Sequence, residues 1–364
     1  MFLVLLAVAI FVGAGDSSGI SWTVQTSGLD TNLRGVSGVY LHGTNDIAVW
    51  ASGSNGVILR SLDRGKTWKQ LHVAGGETLD FRSVRAFDAT TAYVMSSGEA
   101  ELSRIYKTTD GGVRWNLQYT DKRAAFFLDA LVCVGSTNCF ALSDPVDGKF
   151  LILATSDGEH WKELPRDNMP AALPNEGAFA ASGTSLLVWD GIYFATGGPA
   201  ARVFHSPDLG KTWSVAETPI AHGRASSGIF SMAISGNTIV VVGGDYKDPN
   251  RRDGTAAYSL DDGKTWKLAD QQPGGYRSAV KWVDYETITA VGPSGEDISE
   301  DGGAHWKRTD SLDLNALAEV GYFDAWAVGP KGTIARMINP KQYRWRIDCL
   351  RRSDEFMRAP LPAS

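Results

Sequence analysis

The sequence of 364 residues has few cysteines, a small net charge and no long hydrophobic run after its first dozen residues. Three cysteines are too few for a disulfide scaffold. The 41 acidic residues outnumber the 35 basic ones, so the overall charge gives no indication of nucleic-acid binding. No later stretch approaches the roughly 20 apolar residues of a membrane-spanning helix, so we expect no stable membrane span.

The sequence also lacks the usual signatures of cofactor and metal chemistry. Its six histidines are scattered without a pair at ligand spacing, so no metal site is expected. Glycine pairs follow aspartates in turn-like phrases and do not lie between a strand and a helix, which is the position that phosphate binding requires. No nucleophile elbow is present. We therefore expect no cofactor.

Glycine and tryptophan are abundant, with 40 and 12 residues. Frequent glycines, many aromatic residues and short apolar runs are typical of many short strands joined by tight turns. The composition therefore predicts an all-β repeat fold.

One phrase, Ser/Thr-x-Asp-x-Gly-x-x-Trp, recurs along the chain. It occurs five times in full and once one residue short: Ser61–Trp68, Thr108–Trp115, Ser206–Trp213, Ser259–Trp266, Ser299–Trp306 and, shortened, Thr155–Trp161. Successive tryptophans lie 47, 46, 52, 53 and 40 residues apart, which is the length of a propeller blade.

A seventh repeat is divided between the two ends of the chain. Counting back 46 residues from Trp68 reaches Trp22, and three strand-like runs lie between Leu314 and Met337 without the phrase. A strand around Trp22 to Thr26 would complete the blade begun at Leu314. The repeats predict a seven-bladed β-propeller over residues 20–337, closed by an N-terminal strand that completes the last blade.

The phrase itself is the Asp-box. Its Asp and Ser or Thr oxygens can accept hydrogen bonds from turn amides, and its tryptophan can fill the space between neighbouring blades. We expect it in the turn between the third and fourth strands, on the face opposite the usual ligand site. A structural role is therefore predicted for Asp63, Asp110, Asp157, Asp208, Asp261 and Asp301.

The chain ends carry the indications of cellular location. Residues 2–12 are continuously apolar, and small residues follow, but no basic residue precedes them. We expect residues 1–19 to be a signal peptide or a short anchor, and the protein to be exported to a periplasmic, lumenal or extracellular space. Residues 338–364 form a basic tail that matches no blade, and we expect it to be disordered.

Cys133 and Cys139 flank a turn-forming Gly-Ser-Thr-Asn sequence. They are either a disulfide across one hairpin or two buried thiols, and the sequence leaves both alternatives open.

The first residue of each inner strand of a propeller lies at one mouth of the central channel. Aligning the blades places three arginines there, together with polar residues; the predicted binding residues are Arg34, Arg82, Arg277, Glu176 and Asn315. Converging guanidinium groups can bind an anionic ligand or a protein partner through paired N–H donors. The alternative is that these arginines neutralise nearby carboxylates and only stabilise the channel.

The same alignment places carboxylates at the mouth. Asp129, Asp144 and Asp147 belong to the third blade and are the residues expected to act if the protein hydrolyses glycosidic bonds, because that reaction uses a pair of carboxyl groups.

The phrases WAVGPKGTIARM, AVGPSG and SLDRGKTW resemble the photosystem II stability/assembly factor-like family of Asp-box propellers, over residues 21–337. That resemblance implies an exported, non-enzymatic scaffold that binds a protein partner through a basic face. Sialidases share the Asp-box, but the Arg-Ile-Pro phrase that they carry is absent. Xyloglucanases use two propellers, and this chain has the length of one. We therefore predict a binding scaffold of undetermined oligomeric state, with a glycoside hydrolase acting on an extracellular glycan as the alternative.

Overall fold

The computed structural model describes residues 19–44, 46–321 and 324–339. These residues form seven antiparallel sheets, which follow one another as the blades of a propeller. The inner strand of each blade contacts the inner strands of both neighbouring blades, and the last contacts the first. The predicted seven-bladed all-β propeller is therefore confirmed. The predicted leader, except for Gly19, and the tail from residue 340 onward lie outside the described residues.

The strands of the first half of the ring are as follows. The first strand of the described residues is β1 (Ser21–Thr26). Blade 1 contains β2 (Leu33–Tyr40), β3 (Ile47–Gly53), β4 (Ile58–Ser61) and β5 (Lys69–Leu71). Blade 2 contains β6 (Phe81–Ala86), β7 (Ala92–Ser96), a 3-10 helix (Ala100–Leu102), β8 (Arg104–Thr108) and β9 (Asn116–Thr120). Blade 3 contains β10 (Leu128–Val134), β11 (Asn138–Val146), β12 (Lys149–Thr155) and β13 (Lys162–Glu163).

The remaining blades complete the ring. Blade 4 contains β14 (Leu186–Val188), β15 (Ile192–Ala195), β17 (Arg202–Ser206) and β18 (Ser214–Glu217). Blade 5 contains β16 (Gly197–Gly198), β19 (Arg224–Ser235), β20 (Thr238–Asp245), β21 (Ala256–Ser259) and β22 (Lys267–Leu268). Blade 6 contains β23 (Ala279–Trp282), β24 (Ile288–Gly292), β25 (Gly295–Ser299) and β26 (Lys307–Asp310). Blade 7 contains β27 (Ala316–Val320), β28 (Asp324–Val328), β29 (Thr333–Ile338) and β1.

The ring is closed by the pairing of β1 with β29. The two strands are antiparallel, with Ser21 opposite Ile338 and Thr26 opposite Thr333. This pairing confirms that an N-terminal strand completes the last blade, and it removes the sheet edges that an open ring would expose.

Apolar clusters between neighbouring blades form the core. Between blades 3 and 4, for example, Phe150 packs against Phe194 and Phe204 with ring centroids 5.1 and 5.4 Å apart. Each Asp-box tryptophan contributes to the cluster between its own blade and the preceding one, as Trp266 does between blades 4 and 5. The repeated sequence unit therefore also builds the contact between repeats.

The Asp-box turns join the third strand of a blade to the fourth. In blade 5, the Ser259 hydroxyl donates to Asp261 Oδ1 over 2.8 Å and accepts from the Gly263 amide over 2.8 Å. The Thr265 amide and hydroxyl both donate to the Asp261 carboxylate. Gly263 has a φ of +79°, a conformation that glycine adopts without strain. The turn therefore satisfies its own polar groups.

The same arrangement occurs in six blades. Each aspartate accepts a hydrogen bond from the Ser or Thr hydroxyl two residues earlier and from at least one following backbone amide: Asp63, Asp110, Asp157, Asp208, Asp261 and Asp301. We refer to the face that carries these turns as the lower face. The opposite face, where the inner strands begin, is the upper face.

Cys133 and Cys139 face each other in the β10–β11 hairpin and are joined by a disulfide. Of the two alternatives left open by the sequence, the structure contains the bonded pair.

Candidate functional site

The central channel is blocked by part of its own chain. The inner strand of blade 4 begins only at Leu186, and residues 177–185, which we call the crossing segment, run through the channel before it. The Ala180 carbonyl accepts hydrogen bonds from Arg34 Nη2 over 3.4 Å and from Arg82 Nη1 over 3.3 Å. A single carbonyl of the crossing segment is thus held from blades 1 and 2.

Further contacts fix the crossing segment deeper in the channel. The Gly183 carbonyl accepts a hydrogen bond of 3.1 Å from Arg85 Nη2 of blade 2. The Ser182 hydroxyl donates to the Ser278 carbonyl of blade 6 over 2.8 Å. Small side chains suit this position, because a Cβ on Gly183 would lie 2.7 Å from the Ser83 hydroxyl. The segment is anchored to opposite sides of the ring and closes the channel.

A cavity of about 540 Å³ lies above the crossing segment and opens on the upper face. We call this cavity the cup. Its wall takes residues from every blade except the fourth, and the crossing segment that leads into blade 4 forms its floor. The lining residues are Arg34, Arg82, Phe127, Asp129, Asp144, Ala178, Phe179, Ala180, Ala181, Phe230, Tyr246, Tyr276, Ser278, Pro293 and Asn315.

Local irregularities of the inner strands place four of these side chains in the cup. The strand register shifts by one residue at Arg34, Arg82, Asp129 and Phe230. A bulged residue leaves the regular alternation of a strand, and such bulges commonly redirect a side chain next to a functional site. The same bulge occurs in blades 1, 2, 3 and 5, and in each of these blades the bulged residue lines the cup.

The two arginines of the cup differ in their pairing. Arg82 Nε donates to Asp80 over 2.7 Å, and this ion pair is partly exposed. Arg34 has no carboxylate within salt-bridge distance in the described part of the chain, and its buried Nε has no hydrogen-bond partner there. Burial lowers the pKa of the Arg34 guanidinium, and the neighbouring positive charge of Arg82 lowers it further. Arg34 is therefore a cation whose hydrogen-bonding capacity is only partly used.

The two carboxyl groups of the cup are also incompletely paired. Asp129 is only 1% exposed, and its buried Oδ2 has no hydrogen-bond partner among the described residues. Burial raises the pKa of Asp129 well above its usual range, and the nearby Asp144 charge adds to this effect. Asp144 accepts a 2.8 Å hydrogen bond from the Ala178 amide, yet burial still raises its pKa to about 6. Burial therefore favours the protonated form of both carboxyl groups relative to exposed aspartates.

Aromatic rings line the other half of the cup. Phe179 and Phe230 are stacked, with centroids 3.8 Å apart, and Tyr276 meets Phe230 edge-on at 4.7 Å. Tyr246 follows β20 and also meets Phe230 edge-on, while 48% of its surface is exposed. The cup therefore has one polar half and one aromatic half, as ligand-binding cavities often do.

Two of the predicted binding residues do not face the cup. Arg277 is fully buried and forms an ion pair with Asp297 inside blade 6. Glu176 forms a buried ion pair with Arg202 in blade 4. The prediction that the first inner-strand residue of every blade faces the mouth was therefore wrong for Arg277 and Glu176. The charges of both residues are neutralised within their own blades.

The other predicted residues divide between the cup and its surroundings. Asn315 lines the cup and donates from Nδ2 to Asn32 Oδ1 and to the Leu33 carbonyl. Asp129 and Asp144, predicted as carboxylates for hydrolysis, share the cup. Asp147 is exposed, lies 3.6 Å from Arg166 and does not line the cup.

The aromatic half was not predicted from the sequence. In blade 6 Tyr276, one position before the predicted Arg277, lines the cup. The segment after β20 carries Tyr246, which the blade alignment did not select. Tyr276 directly precedes the inner-strand region of blade 6, and Phe230 lies within β19, where strand alternation alone could not assign its direction because it is bulged.

Within the described ranges, no helix is both long and apolar enough to cross a membrane. The same residues contain no cluster of three or more His, Cys, Asp or Glu side chains arranged to hold a metal ion.

The fold resembles that of several solved propellers. YCF48 from Cyanidioschyzon merolae is 16% identical, with 87% of this chain and 98% of that chain aligned and a TM-score of 0.58. A structure of YCF48 bound to a D1 peptide is 14% identical, with 87% and 96% aligned and a TM-score of 0.56. Virginiamycin B lyase from Staphylococcus aureus is 11% identical, with 88% and 99% aligned and a TM-score of 0.61. At these identities the similarity shows the fold alone.

No curated protein matches the chain. The family model described as the DUF6242 beta propeller domain matches residues 16–288, which is well over half of the sequence. The chain belongs to the DUF6242 β-propeller family.

Proposed function

We propose that this protein is an exported, non-enzymatic propeller that binds a protein partner at the cup. The observation that carries the proposal is the pair of buried, unpartnered groups in the cup, Arg34 Nε and Asp129 Oδ2, neither of which has a hydrogen-bond partner among the described residues. Leaving a buried polar group unpaired costs about 1–3 kcal/mol. Both residues line the cup, so a ligand that pairs with these groups after a small side-chain shift would recover that free energy.

Two further observations support the proposal. The Cys133–Cys139 disulfide is a bond that persists in oxidising compartments, in agreement with the expected export. A structure of the similarly folded YCF48, a photosystem II assembly factor, contains a bound D1 peptide, so a propeller of this architecture can hold a segment of another protein.

The test is affinity capture with the tagged full-length chain, expressed in its own host and purified from the exported fraction. The cup variant is the double substitution Arg34→Ala with Asp129→Asn. The matched control is Asp147→Asn, which changes an exposed aspartate near the cup but outside it. We expect a partner that is captured by the wild type and by the control and is lost with the cup variant. A partner retained equally by all three proteins would contradict binding at the cup.

Glycoside hydrolysis is the second candidate, favoured by one observation. Asp129 and Asp144 share the cup, and burial raises the pKa of both carboxyl groups, as expected of a general acid. Release of reducing sugar from a panel of extracellular polysaccharides would support this candidate if Asp129→Asn and Asp144→Asn abolished it and Asp147→Asn did not. No release from the panel would leave binding as the function.

A further inference from the structure

The charges of the cup determine which kind of partner segment it can hold. The prediction of an anionic ligand depended on three converging arginines, but Arg277 is neutralised by Asp297 and lies outside the cup. Arg82 is paired with Asp80 at 2.7 Å. One arginine, Arg34, therefore remains without a carboxylate partner among the described residues of the cup.

The guanidinium of Arg34 shares the cup with two carboxyl groups. Asp144 lines the same cavity, and its carboxylate accepts one protein hydrogen bond, from the Ala178 amide. As formal charges, Arg34 and Arg82 are balanced by Asp144 and Asp80, and Asp129 adds a further carboxyl group. The cup therefore carries no net positive charge, so a strongly acidic segment gains little from its arginines and is repelled by Asp144.

The polar half of the cup offers donors and acceptors together. Arg34 can donate, and the Asp129 and Asp144 carboxyl groups can accept. A peptide group presents one carbonyl acceptor and one N–H donor on adjacent atoms. An uncharged stretch of main chain therefore matches this half without bringing an unpaired charge into a buried site.

The aromatic half offers a place for one large apolar side chain. Phe179 covers one face of Phe230, and both Tyr246 and Tyr276 meet Phe230 edge-on. These rings are packed on one another, so they form an apolar wall of the cup, in which Tyr246 is the most exposed ring. The volume of about 540 Å³ lies within the range of small-ligand cavities and is large enough for a few residues of a peptide.

We propose that the cup recognises an uncharged peptide segment of the partner, with one aromatic or large aliphatic side chain packed against Phe179 and Tyr246, above the buried rings of Phe230 and Tyr276. The main chain of the segment pairs with Arg34, Asp129 and Asp144. This inference rests on the proposed function and specifies the partner's chemistry: recognition depends on an apolar anchor and peptide groups, and acidity of the partner is not required.

The experiment is selection of phage-displayed random heptapeptides on the immobilised full-length protein, followed by binding measurements with one enriched peptide capped at both ends. We expect enriched sequences in which uncharged residues flank an aromatic residue or leucine. Replacing both flanking residues by glutamate should weaken binding at least tenfold. Tyr246→Ala should also weaken binding at least tenfold, whereas Trp189→Ala, which removes an aromatic side chain exposed on the lower face, should not. Tyr246 is well exposed, so its substitution is not expected to unfold the protein.

Each contrary result has a distinct meaning. Enrichment of acidic peptides whose binding is lost with Arg34→Ala would overturn this inference and leave binding at the cup intact. Enriched peptides that bind Tyr246→Ala as well as the wild type would overturn the apolar anchor. No enrichment, or binding of a neutral oligosaccharide panel without any peptide, would contradict both this inference and the proposed protein partner.

Discussion

Aspartates on the two faces of the propeller lie in opposite environments. In the lower-face turn of blade 5, hydrogen bonds from Thr265 and Ser259 lower the pKa of Asp261 to about 2. In the cup on the upper face, burial raises the pKa of Asp144 to about 6, and Asp129 keeps an unpaired oxygen. The same residue type is satisfied where it builds the fold and left unsatisfied where a ligand can bind. Buried carboxyl groups with raised pKa values that line a cavity therefore distinguish the candidate site from the turns of the lower face.

The largest effect is expected from a residue of the upper face that belongs to the scaffold. Arg277→Ala should lower the free energy of unfolding by about 3–5 kcal/mol, because it leaves the buried Asp297 carboxylate without its partner. Urea denaturation measures this change. A loss below about 1 kcal/mol would show that Arg277 is not structural and would return it to the list of ligand-binding candidates.

The second prediction concerns pH. The pKa of Asp144 is raised in the folded protein, so the folded state binds more protons than the unfolded state between about pH 4 and 6, and stability falls as the pH rises through this window. Asp144→Asn should remove the Asp144 share of that fall and be more stable than the wild type at pH 7 by about 2 kcal/mol, while Asp129 and Glu296, whose pKa values are also raised, keep their own shares. Urea denaturation at a series of pH values tests this.

The lower face supplies the control for that experiment. The pKa of Asp261 is lowered to about 2, so its contribution to stability is present above about pH 4 and is lost as the pH falls toward 2. Asp261→Asn should therefore flatten the acid side of the stability profile and leave the pH 4–6 region unchanged. Identical profiles for the two variants would contradict the difference between the faces.

A smaller effect is expected from the turn hydroxyl. Ser259→Ala should destabilise the protein by about 1–2 kcal/mol, because the Gly263 amide loses its hydrogen-bond acceptor and Asp261 loses a donor. Thermal unfolding of this variant beside Ser214→Ala, an exposed serine in β18, measures the difference. Equal stability of the two variants would show that the turn network contributes little.

The smallest effect on stability is expected at Arg34. Arg34→Ala removes a cation without a carboxylate partner in the described structure, and Arg82 still holds the shared Ala180 carbonyl. The free energy of unfolding should change by less than about 1 kcal/mol, while partner capture is lost. A loss as large as that expected for Arg277→Ala would mean that Arg34 is part of the scaffold.

The fold was predictable because its signal is periodic. The six Asp-boxes and Trp22 mark every blade, and closure by β1 follows from a last repeat without its own phrase. Each repeat buries its apolar side chains against the next, so spacing along the chain translates directly into position around the ring.

The site was only partly predictable because it depends on departures from that periodicity. Arg34, Arg82 and Asp129 were found by blade alignment, although each is placed by a bulge that the alignment does not show. Arg277 was misplaced by one position, and Tyr276 faces the cup instead. Glu176 was expected at the mouth because blade 4 was assumed to begin like the others. Residues 177–185 instead cross the channel, which no repeat comparison indicates.

The pairing of β1 with β29 also constrains how the molecule is made. Ser21 pairs with Ile338, so the earliest-synthesised part of the propeller waits for the last before the ring can close. Pairing between residues so distant along the chain is slow, since the entropy of closing the intervening chain is lost before the contact is gained. Until then, blade 7 lacks its outermost strand. Blade 7 therefore stays incomplete until β29 has been synthesised, and the ring can close only after the residues up to Ile338 are available.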